Sequence, residues 1–186
     1  PYAKVDPTVG LATRCVPGKK ENGAIFNHAA SWAIFAECLL GRGDQAFEYY
    51  EKIMPMHLAS DPDLFKLEPY VYCEYTTSPD HPTYGEASHS WLTGTAVWML
   101  RVGLDYILGV RPSFNGLLID PCIPKSWEKY TVKRTFRGAV YEIFVENPNH
   151  VSKGVKRVKI DGKEYPSNIL PVFTSGETHR IIVIME

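Results

Sequence analysis

The spacing of apolar residues changes once along this chain, near residue 112, and that change restricts the fold more than any other feature. From Ala29 onward, Ala30, Trp32, Ala33, Ile34, Ala36, Leu39 and Leu40 cover most of a helical circumference, the mark of a helix buried on all sides. Gly41-Arg42-Gly43 stops it. Asp44 is placed to cap a second helix, whose Ala46, Phe47, Tyr50 and Ile53 share one face before Pro55. A short glycine turn between the two predicts an antiparallel helical hairpin. A longer helix is expected over about Ser90 to Leu108, again apolar around its axis, with Gly109 and Pro112 beyond its end. After Arg111 the period becomes two. Leu117 to Pro121, Tyr130 to Thr135, Ala139 to Glu146, Val155 to Ile160, Lys163 to Tyr165, Ile169 to Phe173 and His179 to Met185 read as strands. Phe136-Arg137-Gly138 and Asp161-Gly162 are hairpin-turn signals. This second part is an all-β unit, a sandwich of jelly-roll type. The expected fold class is therefore multi-domain α and β, divided into residues 1–112 and 113–186.

Helices that are apolar all round need neighbours all round, and the first 110 or so residues supply too few to close a core. The chain also opens in mid-loop at Pro1, without a methionine. Both observations lead us to expect a fragment of a larger protein. Residues 1–27 and 55–85 carry the glycines, prolines and charges of loops. Within the second loop, Leu67 to Tyr75 is aromatic-rich and reads as a short helix or a strand.

A net charge of −1 gives no electrostatic reason to expect nucleic acid or a membrane surface as partner. No apolar run reaches transmembrane length. Cys15, Cys38, Cys73 and Cys122 are widely spaced among apolar neighbours and read as buried free thiols, pointing to a reducing, cytoplasmic compartment. The histidines lack the spacing of a metal set, and neither a phosphate-binding P-loop nor a nucleophile elbow occurs.

Two polar segments lie at the mouths of apolar helices. The first is Lys20-Glu21-Asn22-Gly23-Ala24-Ile25-Phe26-Asn27-His28, and the second is Ser90-Trp91-Leu92-Thr93-Gly94-Thr95-Ala96. His28 either donates to a bound anion beside free N–H groups of a helix start or simply caps and packs that helix. Thr93-Gly94-Thr95 is unusual inside a helix, where glycine costs roughly 1 kcal/mol relative to alanine. It either opens backbone and hydroxyl groups to a phosphate or sulfate, or serves close helix packing with the threonines bonded back to the helix. Lys20, Glu21, Glu68 and Glu74 are candidates for gripping sugar hydroxyls or for acid and base roles; the alternative is solvated loop charge.

Taken in order, Lys20–His28, Glu68–Glu74, Ser90–Ala96, Ile107-Leu108-Gly109-Val110-Arg111-Pro112, Ile119-Asp120-Pro121-Cys122-Ile123-Pro124 and Phe136-Arg137-Gly138-Ala139 resemble the C-terminal part of cellobiose-phosphorylase-type enzymes, glycoside hydrolase family ninety-four. The resemblance implies the last helices of an (α/α)6 catalytic barrel in residues 1–112, followed by a jelly-roll domain. It implies reversible, inverting phosphorolysis of a β-glucosidic disaccharide, cellobiose or similar, to α-glucose 1-phosphate and a free sugar. No metal or organic cofactor is implied; inorganic phosphate is a co-substrate. The family's phosphate site falls on His28, Thr93 and Gly94, and its sugar contacts on Lys20, Glu21 and Glu74. Glu74 stands where the family usually has glutamine, which adds a negative charge beside the sugar. The general acid belongs to an earlier segment, so no catalytic residue is expected in this chain, which alone would be inactive. The full-length protein would be a homodimer with neither nucleic-acid nor membrane partners. The competing expectations are a non-catalytic carbohydrate-binding or structural module, and the phosphorylase-like end of a cyclic β-1,2-glucan synthase.

Overall fold

The computed structural model describes residues 1–186 and shows a mixed α and β chain. Its contacts gather into two compact units, one of residues 1–33 and 49–100, the other of residues 34–48 and 101–186. The division expected near residue 112 follows the chain; these units follow contact, and the second takes in residues 34–48.

Two helices occur where they were expected, α1 (Asn27–Leu39) and α2 (Gly43–Lys52), with a turn at Gly41 between them. Asp44 does not cap α2. Its Oδ1 accepts the Lys125 N–H at 2.9 Å.

The first unit contains a three-stranded antiparallel sheet of β1 (Ile25–Phe26), β2 (Cys73–Thr76) and β3 (Ala87–Ser90), with β2 in the centre. The stretch 55–85 is more ordered than its prolines suggested. Pro55 opens α3 (Pro55–Leu58) and Pro62 opens α4 (Pro62–Phe65), because proline at a first helical position loses no hydrogen bond. Asp61 caps α4 by accepting the Leu64 N–H at 3.1 Å. Of the ambiguous Leu67–Tyr75 stretch, the last three residues belong to β2.

The helix expected over Ser90–Leu108 is shorter than its apolar pattern. Ser90 is still in β3, paired with Cys73. The α-helical turns of α5 run only from Thr95 to Arg101, and Val102–Ile107 continues as π-helix, with the Leu108 N–H donating to the Gly103 carbonyl. Thr93 sets the start, since its Oγ1 accepts the Thr95 N–H at 3.1 Å, an alternative to helical pairing typical of threonine. Thr93 and Gly94 therefore precede the helix rather than interrupt it.

The second unit holds the remaining strands. β4 (Val110–Ser113), β5 (Gly116–Ile119) and β10 (Ile169–Leu170) form one sheet in the order β10-β5-β4. β6 (Lys129–Phe136), β7 (Ala139–Glu146), β8 (Val155–Ile160), β9 (Lys163–Tyr165) and β11 (Thr178–Met185) form a second, in the order β6-β7-β11-β8-β9. β11 runs parallel to β7 and antiparallel to β8. The sequence reading missed β4 because it contains Pro112, which is tolerated there because β4 lies at a sheet edge. Both hairpin turns appear as expected, with Arg137-Gly138 at φ 50° and 87° and Asp161-Gly162 at φ 50° and 82°. Paired positive φ values are what a two-residue turn between twisted strands requires. Alternate residues of β7 and β11 are buried, among them Tyr141, Ile143, Ile181 and Val183. The Tyr141 hydroxyl, deep in this core, donates to the Pro171 carbonyl at 2.8 Å, as a buried phenol must.

Among the cysteines, Cys38, Cys73 and Cys122 are buried free thiols, whereas Cys15 is half-buried.

Candidate functional site

The three-stranded sheet of the first unit is what brings the two polar segments together. β1 feeds directly into α1, so His28 stands in the first turn of that helix. Asn27, 1% exposed, ties this junction to the central strand: its Nδ2 donates to the Cys73 carbonyl at 3.1 Å and contacts the Cys73 sulfur at 3.0 Å. β3 leaves the other side of β2 and leads through Trp91 to Thr93-Gly94. Residues 66 positions apart thereby meet: a Cβ added to Gly94 would lie 2.8 Å from His28 Cε1 and 3.1 Å from its Nδ1. Only glycine admits the imidazole at this point.

The His28 ring is held from several directions. Trp32 packs edge-on with ring centroids 4.8 Å apart, Trp98 lies at 6.2 Å, and the two indoles are perpendicular at 6.0 Å. Ser31 donates to the His28 carbonyl at 2.5 Å. Yet His28 Nε2 is buried without a hydrogen-bond partner. Buried polar atoms are rarely left so, and an exception asks for a reason. Beside it, the Thr93 and Thr95 hydroxyls lie 2.6 Å apart. The cluster thus offers an imidazole nitrogen and two hydroxyls, groups able to donate to an oxyanion without supplying a fixed charge.

A second cluster lies on the same sheet. Lys20 Nζ is 2.7 Å from Glu74 Oε2, in the centre of β2. The register of Cys73 with Ser90 and Tyr75 with Ser88 sets His89 opposite Glu74, and His89 Nδ1 is 3.3 Å from the same Oε2. Ser88 Oγ also approaches that nitrogen, at 2.8 Å. Lys20 stands over the Tyr75 ring at 5.2 Å. The hydrogen bond to Glu74 holds the Lys20 ammonium pKa above its ordinary value, against the opposing effect of partial burial. Glu21 stays outside the cluster; it is exposed, and its carboxylate is 4.0 Å from the Cys15 sulfur. Glu68 accepts the Trp91 indole N–H at 3.1 Å and is held below the usual carboxylate range by hydrogen bonds, first from its own backbone and then from that indole.

Sequence reasoning missed four participants. His89 was passed over as a loop histidine, although Ser88-His89-Ser90 alternates like Cys73-Glu74-Tyr75 and a paired reading would have set it against Glu74. Trp32 and Trp98 looked like core residues. Asn27 carried no signal beyond its place next to His28. A separate cavity of about 520 Å³ is lined by Ile25, Asn27, Ala30, Tyr49, Ile53 and Tyr84 among others, none of them an expected site residue.

A sequence profile described as "Glycosyl hydrolase 94 superfamily, catalytic domain" matches residues 1–109. The N,N'-diacetylchitobiose phosphorylase of Vibrio proteolyticus is 43% identical over 99% of this chain, which covers 23% of that protein. The solabiose phosphorylase of Paenibacillus borealis is 40% identical over 100% of the chain and is covered to 24%. The cyclic β-(1,2)-glucan synthase NdvB of Rhizobium meliloti (strain 1021) is 30% identical over 83% of the chain, which covers 6% of it. The chain thus spans about a quarter of the length of the curated phosphorylases it matches.

Proposed function

Since the chain belongs to the glycosyl hydrolase 94 superfamily, we propose that the full-length protein is an inverting glycoside phosphorylase and that this chain carries much of its phosphate site. Residues 1–112 are then the closing part of an (α/α)6 barrel and 113–186 a jelly-roll sandwich. The substrates are inorganic phosphate and a β-linked disaccharide, cellobiose or a close relative, and the products are an α-sugar 1-phosphate and a free sugar. A phosphate oxygen attacks the anomeric carbon from the face opposite the glycosidic bond. That bond breaks with inversion, and its oxygen takes a proton from a carboxylic acid.

An inverting hydrolase needs a second carboxylate to deprotonate water. Phosphate is already an anionic nucleophile, so the protein has only to hold and aim it. The buried, unpartnered His28 Nε2 beside Gly94 and the threonine hydroxyls carries this reading. His28 and Thr93 donate to the phosphate, Gly94 makes room for the His28 ring that binds it, and Lys20, Glu21 and Glu74 bind the sugar. The acid that protonates the leaving oxygen lies outside this chain, so the chain alone is inactive. No metal or organic cofactor takes part. No helix is long and apolar enough to cross a membrane; a cytoplasmic homodimer is the form we propose.

Steady-state kinetics of the full-length protein at varied phosphate test the assignment. His28→Ala and Thr93→Val are each expected to lower kcat/KM for phosphate on the order of a hundredfold, as loss of one positioned donor does. Unchanged phosphate KM and kcat in both variants would overturn it. Sugar binding confined to residues after 112 and indifferent to phosphate would instead support a non-catalytic module.

A further inference from the structure

The two threonines of Thr93-Gly94-Thr95 are not equivalent. Thr95 is 0% exposed, and its hydroxyl has a single partner, Thr93 Oγ1 at 2.6 Å. Thr93 is half-buried, and the same Oγ1 also accepts the Thr95 N–H at 3.1 Å. A hydroxyl has one proton to give and two lone pairs to receive. If Thr93 donated to Thr95, the buried Thr95 proton would be left without an acceptor, which is costly. The proton between the two oxygens therefore belongs to Thr95. Both lone pairs of Thr93 Oγ1 are then taken, one by the N–H and one by the O–H of Thr95. The Thr93 proton is left to point away from both.

That polarity suits an oxyanion, whose oxygens accept. Resting on the phosphorylase reading above, we propose that Thr95 is a positioning residue that makes the Thr93 hydroxyl an obligate donor to the phosphate. A hydroxyl free to rotate can equally turn a lone pair toward the phosphate oxygens, or accept the proton of a hydrogen phosphate. It must then be reordered each time phosphate binds. Filling its lone pairs beforehand removes that choice, and donors that need no reorganisation are the ones a reaction gains from most. Donation by Thr95 also polarises the Thr93 O–H, because hydrogen bonds in a chain strengthen one another. The backbone contributes as well. Thr95 is the first residue of α5, so its N–H has no carbonyl of that helix to serve and is available to Thr93. Thr95 does not itself touch the phosphate; its proton is spent on Thr93.

The test is a double-mutant cycle in the full-length protein. It follows phosphorolysis at varied phosphate, with the disaccharide the protein cleaves among the β-linked disaccharides of glucose and N-acetylglucosamine. Thr95→Val keeps the branched shape and removes the hydroxyl. It is expected to lower kcat/KM for phosphate roughly three- to tenfold, the worth of one neutral hydrogen bond, with the disaccharide KM unchanged. Thr95→Ser, which keeps the donor, is expected to restore most of the loss. In a Thr93→Val background the same Thr95→Val change is expected to cost nothing further, because the hydroxyl it positions is gone. An equal loss in both backgrounds marks a packing role and refutes the proposal. No loss from Thr95→Val, where Thr93→Val alone impairs phosphate use, refutes it and leaves the phosphorylase reading standing. Unaltered phosphate use in Thr93→Val refutes it too. Only if His28→Ala is also silent, or no disaccharide yields a sugar phosphate, does the phosphorylase reading fall with it. Should Thr95→Val not accumulate as folded protein, Thr95→Ala takes its place in the cycle with the same expected and refuting outcomes.

Discussion

The two units solve the problem of burial in opposite ways. In the strand-bearing unit, alternation works cleanly, and Tyr141, Ile143, Ile181 and Val183 are all fully buried. In the unit that carries the site, large apolar side chains stand exposed (Trp32 51%, Leu92 71%, Val97 66%), while Asn22, Asn27, Ser31, Thr76, Thr77 and Thr95 are buried. A few scattered apolar residues on a surface are ordinary, but exposed apolar helix faces beside a buried polar interior are not. The first unit gathers buried polar groups, and the second supplies an apolar core between its strands. Damage should therefore read out differently: as lost chemistry in one and lost stability in the other.

The sharpest break is Gly94→Ala. The added Cβ would meet the His28 ring at 2.8 Å, and the ring cannot retreat readily between Trp32 and Trp98. Displacing a positioning group by even 1 Å costs on the order of a hundredfold in rate. In the full-length protein, kcat/KM for phosphate should fall at least that far with little change in the thermal midpoint. A variant that lost stability and kept phosphate use would reverse the contrast between the units. Asp105→Ala is the counterpart in the second unit. Asp105 is 2% exposed and pairs with Arg101, and with Arg134 at 3.2 Å. The guanidiniums left behind are partly solvated, so losing the charge-assisted hydrogen bonds costs about 1.5–3 kcal/mol. Denaturant unfolding should show that loss, while phosphate KM in the surviving folded protein stays near the wild-type value.

The same contrast decided what could be read beforehand. Strands after residue 112 were legible because a period of two and an Asp161-Gly162 turn are local signals that agree with each other. The apolar run from Trp91 to Leu108 misled, because its spacing suits α-helix, π-helix and a strand-to-helix junction alike. What decided among them was the pairing of Ser90 with Cys73 and the hydroxyl of Thr93, neither visible in apolar spacing. Asp105 gave no sign of its burial, since its partner Arg134 comes from a strand 29 residues away. In the candidate site, His28, Thr93 and Gly94 were singled out through resemblance, and the structure brings His28 against Gly94. His89 was not, because its place opposite Glu74 depends wholly on strand register.

The smallest expected effect concerns a histidine in the strand unit. His179 stacks on Phe173 with ring centroids 3.6 Å apart. Its Nδ1 is 2.7 Å from Asp161 Oδ2 and its Nε2 3.3 Å from Glu177 Oε2. Burial opposes the charged imidazole, but the two carboxylates outweigh it and raise the pKa above its ordinary 6.5. The hydrogen bonds from His179 lower both carboxylates, from ordinary values of 3.8 for Asp161 and 4.5 for Glu177. The raised histidine stabilises fully below pH 6.5 and loses that contribution as pH rises through its folded value. The lowered carboxylates stabilise above their ordinary values and lose that contribution as pH falls through their folded ones. The cluster therefore helps most between about pH 4.5 and 6.5, and only slightly, because solvent screens so accessible a set of charges. Amide hydrogen exchange along β11 should quicken from pH 6 to pH 8, after correction for intrinsic exchange, in the wild type and not in His179→Gln. Equal pH dependence in the two would show that β11 owes nothing to this polar edge.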